Sequence, residues 1–383
     1  MFKKYLFTGI TAMGIIFVMG VLFHFENADK KTFHSEISEA RTFGITWISN
    51  NILENGLFLY TTNTETGVIP TTNNTIRQLM ASRVIALESH SNSELLPVHK
   101  RNLEYIMSNW YREEHGLGYV YFDEKSKLGA NAMLLRVLVA SPYFENYANE
   151  AEALTRGIVH IQKDDGSFST WYKAPSYEYD EDYLLTFYSG EALLALVEYY
   201  EKTLDKQYLD ATKKSANFYV DRYALNLEEY YYPAYVPWHT IALNKLYKLS
   251  PDQRYAEAVF IMNDKLLELQ DTKEYVGRFF NPETPEYGTP HTSSDAIYTE
   301  GLAYAYEIAL LAGDEKRAKK YLDALAIGVE NLLKLQITEE IEGSPLLSEM
   351  YIGSLRIRDG NPWIRVDTTQ HAVDAFEKIL EVL

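Results

Sequence analysis

Residues 158–200 read IVHIQKDDGSFSTWYKAPSYEYDEDYLLTFYSGEALLALVEYY. An apolar segment ends in Gln162, and Asp164-Asp165-Gly166-Ser167 breaks it, because Asp, Gly and Ser favour turns over helix interiors. A long loop follows, carrying Trp171, Tyr172, Tyr177, Tyr179 and the acidic run Asp180-Glu181-Asp182. Tyr188-Ser189-Gly190-Glu191 then opens a segment that is apolar nearly all round from Ala192 to Tyr200, the mark of a buried helix rather than an amphipathic one. The unit is a helix, a long decorated loop and a buried helix.

The rest of the chain repeats this unit. Helical patterns fall at about 33–53, 75–91, 95–114, 127–141, 144–163, 184–203, 205–222, 237–249, 251–271, 292–312, 314–337 and 366–382. Connections from even to odd helices are tight, such as Ser141-Pro142, Leu204-Asp205 and Gly313-Asp314. Those from odd to even helices are long and rich in Gly, Pro and aromatics. Odd helices end alike, in Ile161-Gln162, Leu269-Gln270 and Leu335-Gln336. Even helices share Gly190-Glu191-Ala192-Leu193 and Thr299-Glu300-Gly301-Leu302, and an Asp (Asp205, Asp314) starts the helix after each. The odd helices are amphipathic: Tyr208, Thr212, Ala216 and Tyr219 form one stripe beside Lys206, Asp210, Lys213 and Lys214. Odd helices therefore form an outer layer and even ones an inner layer. Six such hairpins over residues 31–383 predict an all-α (α/α)6 toroid as one domain.

This arrangement resembles the six-hairpin superfamily of toroids, whose members include glycosidases, sugar epimerases and polysaccharide lyases. The turn Gln162-Lys163-Asp164-Asp165-Gly166-Ser167-Phe168 is similar to turns in those toroids and in terpene-cyclase toroids. The carboxyl-terminal half resembles the helical domain of uronyl epimerases. The resemblance covers roughly residues 35–383 and implies a fold that hosts many reactions.

Composition bounds the partners. The net charge is −18, with 54 acidic and 36 basic residues and no basic run, so no nucleic-acid partner is expected. The absence of cysteine excludes disulfides, thiolate metal sites and a Cys nucleophile. With no metal motif, phosphate loop or dinucleotide fingerprint, no cofactor is expected. The 31 tyrosines, with apolar faces and polar tips, suit a saccharide ligand. Residues 1–30 form a separate segment. Lys3 and Lys4 precede Tyr5–Phe23, a run of 19 residues without charge, which as a helix spans about 28 Å. The expectation is a single-pass transmembrane anchor with its basic side inside and the body extracytoplasmic, on a bacterial cell.

The loop pattern locates the site. All six long loops fall at one end of the toroid, where the inner helices begin and their dipoles favour anionic groups. The catalytic candidates at that mouth are Asp180 and Asp182, Glu191 and Glu300 as an acid–base pair across the cleft, and His239 as a proton carrier. Tyr179, Tyr235 and Trp238, with Tyr230, Tyr231 and Tyr232, are expected to make a stacking wall. His291 and Asp295 open helix 10. The last loop brings Arg356, Arg358, Trp363, Arg365, Asp367 and His371, and Arg77 joins the same rim, so that guanidinium groups meet a carboxylate or sulfate. The expected function is a carbohydrate-active enzyme, first a glycoside hydrolase using paired carboxylates. The alternatives are a uronate epimerase or lyase, and a protein that binds saccharide without catalysis.

Overall fold

The computed structural model describes residues 32–338 and 350–383. Among these, no helix is long and apolar enough to cross a membrane, and the expected anchor Tyr5–Phe23 lies outside the described residues.

Among the described residues, twelve long helices follow the expected alternation. They are α1 (residues 32–50), α2 (Thr75–Glu88), α3 (Leu96–Asn109), α4 (Leu128–Ala140), α5 (Ala148–His160), α6 (Glu181–Thr203), α7 (Lys206–Tyr219), α8 (Tyr235–Leu249), α9 (Gln253–Leu266), α10 (Thr292–Leu311), α11 (Glu315–Leu335) and α12 (Val366–Val382). The even helices pack as a closed ring: α2 on α4, α4 on α6, α6 on α8, α8 on α10, α10 on α12 and α12 back on α2. They are buried almost all round, whereas the odd helices each bury one stripe, so the ring forms the core and the odd helices its outer layer.

The repeated residues have structural causes. The side-chain amides of Gln162, Gln270 and Gln336 donate to the carbonyls of Ala211, Ala324 and Ala40 at 2.7, 3.0 and 2.8 Å. Each Gln thus ties the end of one outer helix to the next, and Gln336 closes the outer layer from α11 onto α1. Gly166 sits at φ +95, and a Cβ there would lie 2.6 Å from the Lys214 carbonyl, so the turn after Gln162 needs glycine to touch α7. Asp205 and Asp314 are N-caps whose carboxylates accept from Gln207 N and Arg317 N. Gly190 and Gly301 let the inner helices approach closely, since a Cβ would lie 2.5 Å from Trp238 Cβ or 2.8 Å from the Pro237 Cα.

The long loops carry short strands: β1 (Thr61–Asn63) pairs with β6 (Trp363–Arg365), β2 (Tyr111–Glu114) with β3 (Leu117–Val120), and β4 (Ser126–Lys127) with β5 (Trp171–Lys173). The β1–β6 pair joins the first long loop to the last and closes the mouth side of the ring. The third helix, expected to run to 114, stops at Asn109. His115 and Gly116, at φ +54 and +75, form a two-residue hairpin turn that draws Tyr111–Glu114 into a strand.

Candidate functional site

The amino-terminal ends of the inner helices surround a cavity of about 300 Å³. Arg77 from α2, Tyr188 and Glu191 from α6, Trp238 from α8, Tyr298 from α10 and His371 from α12 all line it. The ring thus places side chains from five inner helices around one space.

Glu191 is buried, and its Oε2 has no hydrogen-bond partner among the described residues. The inner helix α4 makes room for it with Gly129, where a Cβ would fall 2.2 Å from that oxygen. Burial pushes the carboxyl up to about 8, against the pull of Arg136 and Lys127, so it is held as the acid near neutrality. Asp367, in the first turn of α12, also lines the cavity and stands in the opposite condition. Its Oδ2 lies 3.0 Å from Arg77 Nε and 2.8 Å from Arg365 Nη2. Burial alone would raise this carboxyl, but Arg77 and Arg365 together hold it well below the usual range. One turn further along α12, His371 has an unpartnered Nδ1, and its ring centroid lies 5.9 Å from that of Trp238. Burial brings it down to about 4, so it is neutral. Arg77 also donates to the Tyr60 hydroxyl, which fixes its guanidinium at the rim.

The structure separates the two glutamates expected to face each other. Glu300 lines a different cavity, of about 430 Å³, walled by the carboxyl-terminal ends of the inner helices, with Arg83, Asn244, Tyr304 and Asp374. Its carboxyl is pushed up by burial and by Asp374. An ion network runs inward from the wall of that far cavity: Arg136 grips Glu198 at 2.8 and 3.1 Å, and Arg83 bridges Glu198 and Asp374 at 3.5 Å each. Along α6, Glu191 belongs to the mouth, Glu198 to this network and Glu201 to the far cavity.

Other expected residues take structural places. Asp180 is the N-cap of α6, accepting from Tyr183 N, and Asp182 pairs with Arg222 at 2.7 Å; both are exposed and outside the cavity wall. His239 is enclosed by Tyr219, Tyr223 and Tyr235, with Nδ1 2.8 Å from the Tyr235 carbonyl, and burial lowers it to about 4. Tyr235 is fully buried and stacks on Tyr223 at 4.0 Å. Asp295 anchors a loop, accepting from Phe279 N and the Asn331 amide at 2.9 and 3.2 Å, and burial raises it to about 6. Tyr179 is exposed, its ring 5.3 Å from that of Trp171. Arg356 is half-buried and Arg358 exposed, neither in the cavity wall, and Trp363 pairs through its backbone with Asn63. His291 caps α10 through Nδ1, leaves Nε2 buried without a partner, and lies in the field of Arg365 and Asp367. Tyr232 reaches the rim by an edge contact with Tyr183, a cavity residue, at 5.6 Å.

Of the expected residues, Glu191, Trp238, Arg77, Asp367 and His371 therefore converge, with Arg365 and His291 beside them. Sequence reasoning missed Tyr183, Phe187, Tyr188 and Tyr298, which give the cavity its aromatic walls. Their signal was position: each lies in the first two or three turns of an inner helix.

No family model matches the chain, and no curated protein matches its sequence. Solved structures do match. A D-mannose isomerase superposes with a TM-score of 0.66 at 15% identity, covering 92% of this chain and 98% of that one. Cellobiose 2-epimerase from Spirochaeta thermophila gives 0.69 at 13% identity, with 91% and 97% covered. An α-1,6-mannanase from Salegentibacter sp. gives 0.63 at 13% identity, with 91% and 100% covered. At these identities the likeness is one of fold alone: the chain folds as an (α/α)6 toroid, as these structures do.

Proposed function

We propose that the chain is a carbohydrate-active enzyme that takes a saccharide into the mouth cavity and hydrolyses a glycosidic bond there. One observation carries the reading: two carboxyl groups in one cavity wall are held in opposite protonation states, Glu191 as the acid and Asp367 as the carboxylate. Environments that push two carboxyls apart are what acid catalysis beside a carboxylate requires. Glu191 would protonate the leaving oxygen as the glycosidic C–O bond breaks, and Asp367, oriented by Arg77 and Arg365, would stabilise the developing positive charge. Water would then add to the anomeric carbon and return a proton to the Glu191 carboxylate. Asp367 thus takes the part expected of Glu300. Trp238, Phe187 and Tyr298 offer faces for sugar rings. The similar folds that act on mannan, mannose and cellobiose agree with a saccharide ligand.

A second reading rests on His371, a neutral imidazole with an unpartnered nitrogen in the same wall. Epimerisation would use it as the base for a proton on a carbon beside a carbonyl. Incubation with oligosaccharides and reducing sugars in D2O separates the two. Hydrolysis yields new reducing ends without carbon-bound deuterium, whereas epimerisation places deuterium on carbon. A Glu191→Gln variant that keeps full turnover would remove the hydrolytic reading, and a wild type that turns over no saccharide would leave a binding role centred on Trp238. The apolar run Tyr5–Phe23 behind Lys3 and Lys4 completes the proposal as a single-pass anchor holding the toroid outside a bacterial cell.

A further inference from the structure

Beside the mouth lies a smaller cavity of about 210 Å³. Asn74 lines both, so the two are neighbours across the head of α2. The annex is walled by Asn73, Asn74 and Thr75 and by Phe122, Asp123, Lys125 and Lys127, with Tyr177 at its edge. A two-residue turn at Asp123 and Glu124, φ +53 and +57, folds this second wall back on itself. Lys125 is used locally: it pairs with Asp123 and stands 5.4 Å from the Tyr177 ring centroid.

Lys127 is different. Its side chain makes no hydrogen bond or ion pair with any described residue, although it is half-buried. It occupies the N-cap position of α4, where the helix dipole repels a cation. Burial first, then Lys125 and Arg77, disfavour its charge, against the pull that Asp123 and an ionised Glu191 exert. A cation placed against burial, dipole and like charge costs stability, and such conflicts with local rules concentrate at functional sites.

We propose that the annex is the subsite for an anionic substituent of the saccharide, a carboxylate in the first place, with Lys127 as its ion-pairing partner and the head of α2 as its second contact. The inference deepens the saccharide reading of the mouth and rests on it for the rest of the ligand. A carboxylate there would meet a helix amino terminus and an unpaired ammonium together, the combination that binds oxyanions. It would also place a uronate ring next to Glu191, the carboxyl close enough to Lys127 for the two to interact electrostatically. The arginines Arg365 and Arg77, expected to receive such a group, are committed to Asp367 instead.

The test titrates the full chain, with lysines labelled at Cε, at constant ionic strength with glucuronate, glucose 6-sulfate and glucose. The Lys127 resonance is assigned by its loss in Lys127→Met. Glucuronate should move that resonance and saturate, and glucose should not. Lys127→Met should weaken glucuronate by ~10-fold or more, the usual scale for a charged hydrogen bond, and Lys127→Arg should keep most of the affinity. Lys127→Met should also raise the melting temperature, because it removes an unpaired cation from a helix amino terminus. Tighter binding of glucose 6-sulfate would overturn the carboxylate assignment in favour of a sulfate ester. A Lys127 resonance indifferent to both anions would overturn the subsite even if neutral oligosaccharides are cleaved. Binding of glucuronate at Lys127 without turnover of any saccharide would instead keep the subsite and remove the catalytic reading.

Discussion

Replacing Glu191 by Gln keeps the volume and removes the proton equilibrium. In the folded chain burial raises this carboxyl to about 8 from its ordinary value of 4.5. The folded state therefore binds the proton more tightly than the unfolded one. The wild type has its full stability below about pH 4.5 and loses it as pH rises towards 8, at about 1.4 kcal/mol per unit. Across the 2.5 units from 4.5 to 7 that amounts to about 3 kcal/mol, which Gln does not lose. Gln also finds room, because the unpartnered Oε2 faces Gly129 and the cavity. Urea unfolding of both proteins between pH 5 and 8 should show the variant gaining steadily on the wild type, to an advantage of about 2–3 kcal/mol at pH 7. Turnover should fall by about a hundredfold or more over the same range, the scale of a lost general acid. A variant no more stable than wild type at any pH would show that Glu191 is ionised and paired, and would refute the acid assignment.

Three further outcomes follow from the packing. Glu300→Gln should change turnover by less than about threefold, because a residue outside the reacting cavity contributes no proton transfer; kinetics on any cleaved saccharide would check this. Gly190→Ala should lower stability by about 1–3 kcal/mol, since its Cβ would fall 2.5 Å from Trp238 Cβ where α6 packs on α8; the melting midpoint reads it. Gln336→Ala should cost about 1–3 kcal/mol, because it strips the buried carbonyls of Ala40 and Gly353 of a donor at the seam where the outer layer closes; a urea midpoint measures it.

The toroid was legible because its repeats are physical devices. Gln162, Gln270 and Gln336 recur since each must reach the carbonyl row of the next outer helix, and Asp205 and Asp314 recur since each caps a helix after a tight turn. The same regularity misled at Glu191 and Glu300. Both adjoin a glycine that packs against α8, but one glutamate follows its glycine and the other precedes it. Two residues of offset turn a side chain by about 200° round the helix, enough to send them to different spaces. The acidic run Asp180-Glu181-Asp182 marks a helix start, and a cap and a reactive acid look the same in sequence. Arg365 was the right chemistry in the right place, but it is spent on the nearby Asp367, and Arg77 joins the same carboxylate from the far end of the chain. Lys127 carried a signal that was readable and unread: a lysine at the start of an apolar helix opposes the dipole.

The central claim is that a saccharide is bound and processed at the mouth, between Glu191, Asp367 and Trp238. A crystal structure of the Glu191→Gln variant soaked with an oligosaccharide that the wild type turns over tests it most directly. The account predicts a sugar ring against Trp238, with the scissile oxygen within about 3 Å of the residue 191 amide, the reach a general acid needs. Saccharide seated instead in the far cavity, among Glu300, Arg83 and Asp374, would contradict it.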